Sequence, residues 1–315
     1  MTTSGSVDFS STRSNLIEDA LRKCGVLREG VSASANQLTT GARALNIWIK
    51  SPHTDGMPLW AIKEGAVLPI AGTSSVTLGP SGGHAATTWV HTQLASAGAS
   101  GATSITVDSI TGISASDNIG VELDDGTTHW TTVSGAPSGT TVVLATGLAS
   151  AAAVDSHVYT YTSKTVRPLK IVQASWFDYG SNTELPIVII SRDEWIRLTE
   201  KTSESDRVTQ IYYDPQLTRG VLYFFPRMID GDGIIKIWFR RPIEDMDAAG
   251  DTLDYPQEWE GAVMWSLAAA LGYEFGVPER KQTMLENKAA MEVMKAGEFG
   301  AEEGSIYLIP ERRSR

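Results

Sequence analysis

Apolar residues recur at helical spacing towards both ends of the chain and alternate in pairs between them. Leu16, Ala20 and Cys24, with Ile17 and Leu21, form one stripe behind Asn15-x-x-Glu18 and stop at Gly25-Val26. A capping-box pattern followed by a period of 3.6 predicts a helix. Ser34-x-x-Gln37 opens a second, whose apolar positions Leu38, Ala42, Leu45 and Ile49 carry Trp48 alongside and end at Ser51-Pro52. The two make a helical hairpin. The best-marked helix lies between Asp254 and Pro278. Asp254 can cap it with Gln257 in capping-box register, Pro256 suits the first turn, and Gly276-Val277-Pro278 is a stop signal. Ala262 to Leu271 carries no charge on any face. A helix without a polar stripe must be covered on nearly all sides, by its own domain and by a neighbouring copy. A further helix with mixed faces is expected from Glu279 to Ala296, closed by Gly297.

The middle of the chain alternates with period two. Ile105 and Val107, then Ile119, Val121 and Leu123, then Val142 and Leu144, then Val158 read as short strands, and Asp125-Gly126 is a hairpin turn. Arg167 to Val172 and Ile187 to Ile190 are strand-like, and Ser191-x-x-Glu194 caps a short helix bearing Trp195 and Leu198. A meander follows: Thr209–Tyr213, a turn at Asp214-Pro215, Gly220–Phe225, a turn around Asp230–Gly233, and Ile234–Arg240. The expected fold class is α+β: a helical bundle from the N- and C-terminal segments, an antiparallel β meander, and an inserted small all-β module, a sandwich or barrel.

Composition sharpens the boundaries of that module. From Glu64 to Ser163 there is no Lys or Arg, where the chain's 26 in 315 residues predict about eight by proportion. Residues 64–163 are therefore read as the insertion, and 1–63 plus 164–315 as the host domain. Glu64, Asp108, Asp117, Glu122, Asp124, Asp125 and Asp155 make the insertion uniformly negative, within a chain of net charge −11. That balance argues against gripping nucleic acid, which needs clustered cations. The opening MTTSGSVDFS lacks an apolar h-region, so no secretory leader is expected. The 254–278 helix is too short and too interrupted to span a membrane. The one cysteine, Cys24, excludes an internal disulfide and reads as a small core residue.

Catalytic signatures are absent from the sequence: there is no G-x-S-x-G, no P-loop, and no G-x-G-x-x-G after a strand. Histidines 53, 84, 91, 129 and 157 share no metal-type spacing. The run Glu244 to Asp254 matches a calcium loop poorly, because Ala249 and Pro256 stand where ligands belong. No enzyme, cofactor or metal is expected, although plentiful carboxylates leave an acid/base pair open. Trp89 and Trp130 could stack on a sugar, but core packing is the better reading. The C-terminal segment 297–315 is a polar spacer, an apolar patch and a basic end. It leaves two readings open, a frayed terminus and a partner-docking peptide able to add a strand or fill a groove.

Two stretches together carry a family resemblance. LIEDALRKCGV followed by LTTGARALNIWIKSPHTDGMPLW, and SRDEWIRLTEK through TQIYYDPQLTRGVLYFFPRM to IWFRRPIEDMDAAGDTLDYPQEWEGAVMWSLAAALGYEFGVP, resemble the head-to-tail adaptor (tail accessory factor) of short-tailed bacteriophages. The likeness covers about residues 13–63 and 164–296, and its motifs are packing and turn patterns. It implies a structural virion protein, made in the host cytoplasm and placed at the head–tail junction. Copies would form a ring, usually of twelve, that docks on the portal protein, extends the DNA channel and supports the tail tube or nozzle, with fibre proteins as further neighbours. Double-stranded DNA would pass without specific binding. The likeness assigns portal docking to the tail residues Ile306, Tyr307, Leu308, Ile309, Arg312 and Arg313. The inter-subunit surface would come from Trp259, Val263, Met264, Trp265 and Leu267. The alternative is a peptidoglycan-degrading or glycan- or receptor-binding tail component, since some adaptors of this type are described as peptidoglycan hydrolases.

Overall fold

The computed structural model describes residues 5, 9–51, 59–69, 72–228 and 232–299. Strand outweighs helix. Among the described residues there are seventeen strands in five sheets and five α-helices, and 27% of these residues are helical. The expectation of a helical bundle carrying a small β module is therefore corrected. The helices are α1 (Arg13–Cys24), α2 (Ala35–Lys50), α3 (Arg192–Arg197), α4 (Glu260–Glu274) and α5 (Glu279–Phe299). The chain divides into two compact units, residues 1–61 with 243–315, and residues 62–242. The first holds four of the helices and the second holds α3 and the strands.

In the helical unit, the caps decide where helices start. Ser34 and Gln37 form a reciprocal capping box on α2, with side chain-to-backbone bonds of 3.3 and 2.9 Å. α1 begins earlier than its box pattern suggests, because Thr12 rather than Asn15 is the cap and accepts the Asn15 N–H. At its far end Gly25 takes φ +78°, the left-handed stop that glycine allows. A single 3₁₀ turn, Gln257–Trp259, leads into α4, whose preceding residue Trp259 makes no side-chain cap bond, and the Asp254 carboxylate accepts the Glu244 N–H at 3.0 Å. α5 runs through Gly297 to Phe299, past the expected stop. Ala296 in its last turns is buried with Trp259 and Ala262, and that packing outweighs the glycine's cost of about 1 kcal/mol.

α4 is the centre of this unit. Val263, Leu267, Ala268 and Leu271 are buried in one cluster with Leu16, Ile17 and Leu21 of α1, Leu45 and Ile49 of α2, and Leu285 and Ala289 of α5. A helix touched by three others needs no polar stripe. α1 and α2 approach so closely at Gly41 that a Cβ there would lie 2.4 Å from Ile17 Cγ2. Beside this core, Trp60, Tyr255 and Trp259 pack ring against ring at centroid distances of 4.8–6.2 Å.

In the β unit, a five-stranded sheet runs in the order 183–186, 170–178, 233–240, 62–67, 85–86. A four-stranded sheet, ordered 188–189, 210–215, 220–225, 75–78, shares its core. That core joins Val67, Val76 and Leu78 to Trp176, Ile211, Leu222, Phe224, Ile237 and Phe239. Strands inside the Lys/Arg-free run and strands after it thus build the same two sheets, and the composition change at Glu64 falls inside the strand Ile62–Val67. Pairing is why helices do not dominate: residues 164–242 need the strands at 62–86 as partners.

The predicted hairpin of 210–215 with 220–225 forms, but the third strand of the meander does not follow. Gly233–Arg240 lies between 170–178 and 62–67 in the other sheet. Its Ile235, Ile237 and Phe239 enter the shared core, while Ile234 on the opposite face packs with Tyr159 and Tyr161. A strand apolar on both faces belongs in the middle of a sheet. Residues 90–161 contribute a second four-stranded sheet, ordered 90–93, 157–161, 118–122, 128–132, and a two-stranded pair, 104–106 with 141–143. Leu94, Val107, Ile119, Val121, Val142 and Val158 fill their own core. Asp125-Gly126 makes the expected turn, with Gly126 at φ +79° and the Asp125 carboxylate accepting from the Thr127 N–H.

Candidate functional site

The surface of the helical unit is apolar where its core has no more room. Gln282, Leu285, Ala289 and Ala296 recur at helical spacing and bury one face of α5. Met284, Met291 and Met294 stand on its outward side, with Met284 and Met291 two turns apart. Together with Ile47 on α2 and Tyr273 on α4, they are between 52% and 71% exposed. A groove of about 570 Å³ runs between α2 and α4, lined among others by Ala44, Ile47, Trp48 and Ala270, with Arg43 and Glu274 as its charged members. Full burial of each exposed side chain would contribute roughly 1.5–3 kcal/mol.

The five residues expected between subunits divide. Trp259, Val263 and Leu267 are buried by their own chain. Met264 and Trp265 are half-buried against the same core. The Trp265 ring is flanked by the ammonium groups of Lys23 at 5.1 Å and Lys288 at 5.9 Å, an arrangement favoured by the ring's negative face. The tail residues Ile306, Tyr307, Leu308, Ile309, Arg312 and Arg313 lie outside the described residues. The exposed methionines carry a seven- and three-residue spacing that sequence reading could have singled out as a stripe of its own.

The β unit brings several titratable groups together around one buried histidine. His157, buried at the start of strand 157–161, places Nδ1 2.8 Å from Nε2 of His91 on the paired strand. The His91 ring stacks on Tyr179 at 3.7 Å, and Trp89 Nε1 donates to the Tyr179 hydroxyl at 3.0 Å. Burial, with the His157 charge adding to it, pushes the His91 pKa down to about 4, so this ring is neutral near pH 7. Two carboxylates approach His157. Glu122 Oε2 accepts its backbone N–H at 3.1 Å, and Asp232 Oδ1 lies 3.8 Å from its Nε2. Burial raises the Asp232 pKa, and the charge of Glu122 and a hydrogen bond to it raise it further. These residues are 35 and more positions apart in sequence, so no spacing pattern announces them.

Other candidates are taken up by structural work. Trp130 donates through Nε1 to the Pro69 carbonyl at 3.2 Å, and its ring stacks on His84 at 3.8 Å. In the 244–254 loop, Asp251 and Asp254 accept the N–H groups of Ala248 and Glu244. Among the described residues, no helix is long and apolar enough to cross a membrane. No protein-family model and no curated protein matches the sequence.

Proposed function

We propose that the chain is a structural virion protein that assembles head to tail into a ring, docks on a portal and carries the tail of a short-tailed phage. One observation carries this reading beyond the resemblance. The helical unit bears two unlike apolar surfaces, the α2–α4 groove around Ile47 and the methionine face of α5. A ring closed by rotation needs two different, complementary patches on each copy, whereas a two-fold dimer needs one self-complementary patch. The methionine ridge of one copy fits the groove of the next, and methionine suits such a contact because its flexible thioether adapts to irregular surfaces. The buried face of α4 supports the ring from within rather than forming its seam. The net charge of −11 keeps DNA in a central channel from adhering, since phosphate and carboxylate repel.

The test mixes purified protein with the portal ring from the same genome and reads mass by light scattering and shape by negative-stain electron microscopy. The expected result is a closed ring of copies seated on the portal. Ile47→Glu and Met291→Glu, both at exposed positions, should each abolish the ring while leaving circular dichroism unchanged. Absence of any portal-bound species overturns the reading, and a ring that forms normally with both variants overturns the proposed seam.

A further inference from the structure

We propose that Glu122, His157 and Asp232 form a mononuclear site for a divalent transition metal of the zinc type, with His91 orienting the imidazole ligand. One ligand atom from each of the three residues lies within 4.8 Å of the others. His157 Nε2 and Asp232 Oδ1 are 3.8 Å apart, too far for a hydrogen bond. Two donors sharing one tetrahedral zinc at about 2.1 Å stand roughly 3.4 Å apart, so a small inward movement completes the coordination. Glu122 engages the His157 backbone through Oε2, and a carboxylate has a second oxygen to offer a cation.

The surroundings favour a cation over an empty cluster. Two carboxylates stand beside one imidazole, and their mutual repulsion is left inside the cluster. A divalent ion answers it with two charges at one point. The contact from His157 Nδ1 to His91 Nε2 is the outer-shell arrangement a metal-binding histidine needs, one ring nitrogen held by a partner. His91 is fixed in turn by stacking on Tyr179. A mixed donor set of one imidazole and two carboxylates suits zinc, cobalt or nickel, while calcium and magnesium prefer oxygen alone. The remaining positions would be filled by water, among ligands drawn from three strand ends. Those are the end of 118–122, the start of 157–161, and the residue preceding 233–240. The ion is thus a clasp between two sheets of the β unit.

This inference is independent of the ring reading. Its test uses the full chain without a histidine tag, stripped with chelator and titrated with zinc chloride at pH 7.5 by calorimetry, and with cobalt chloride by visible absorption. The expected result is one zinc per chain and a tetrahedral cobalt band. Asp232→Asn, at an exposed position, should weaken zinc at least tenfold with unchanged circular dichroism. Glu122→Gln should do the same while keeping an oxygen for the His157 N–H. His91→Gln should weaken zinc about tenfold, as loss of an orienting partner does. Absence of zinc binding overturns the proposal, and so does zinc binding indifferent to Asp232→Asn and Glu122→Gln. Binding of calcium without zinc would overturn the role of the imidazole.

Discussion

In the helical unit the most apolar helix lies inside and the methionines outside, whereas in the β unit histidines and tyrosines are packed among aliphatic side chains. α4 is covered by α1, α2 and α5, and the excess apolar surface goes to Ile47, Met284, Met291 and Met294. Residues 62–242 instead enclose Tyr159, Tyr161 and His157, with His84 and His91 half-buried beside them. Surplus apolar area at a surface is a reason to bind another protein. Surplus polarity in an interior is a reason for an internal partner, a hydrogen bond or an ion. The difference teaches that one chain can leave surplus apolar area outside one core and surplus polarity inside another.

The strongest way to break that division is to damage one core and watch the other. Phe239→Ala should cost about 4 kcal/mol and Leu267→Ala about 3 kcal/mol, the range for deleting large buried side chains. Both side chains are fully enclosed, in the β and helical cores respectively. Hydrogen exchange resolved by peptide should show each loss confined to its own unit. Equal deprotection of both units by either variant would mean a single cooperative body.

A smaller lever acts through close approach. At Gly233 an added Cβ would lie 2.2 Å from the Trp176 indole, so Gly233→Ala should lose about 2 kcal/mol by overpacking. A urea midpoint equal to that of the parent would show that the strand shifts freely. On the helical side, Ser34→Ala removes half of the capping box and should cost about 1 kcal/mol, read as a lower midpoint for that unit alone.

A further expected effect is a pH dependence belonging to the β unit. Burial first, and the Lys164 charge second, lower the His84 pKa from 6.5 to about 4. Above pH 6.5 the ring is neutral whether folded or unfolded. As pH falls from 6.5 towards 4, the unfolded chain takes up a proton that the folded chain refuses, so stability declines across that window and levels off below it. His84→Gln should flatten part of this decline in thermal unfolding between pH 4 and 7; an unaltered slope would assign it to other groups.

Local signals in the sequence located much of this. The capping boxes at Ser34 and Ser191, the Asp125-Gly126 turn and the hairpin after Gln210 are decided within a few residues, and they stand where the patterns placed them. Long-range pairing was not legible. Whether Ile234–Arg240 follows its neighbour in a meander or crosses to 62–67 depends on partners about 170 positions away, which periodicity does not encode. For the same reason the helical bundle was overstated, since the strands at 62–86 read as part of an insertion. The meeting of Glu122, His157 and Asp232 left no trace in spacing. The charge-free run in α4 called for cover on nearly all sides, and its own chain covers Trp259, Val263 and Leu267 while leaving Met264 and Trp265 half-buried.

The helical unit is stitched from chain segments separated by the whole β unit. On a ribosome, α1 and α2 emerge before residues 62–242 and must wait for them, because Leu267 and Leu285 come only afterwards. The β unit can finish folding on the nascent chain, while the helical unit completes only after residues 62–242 have been made.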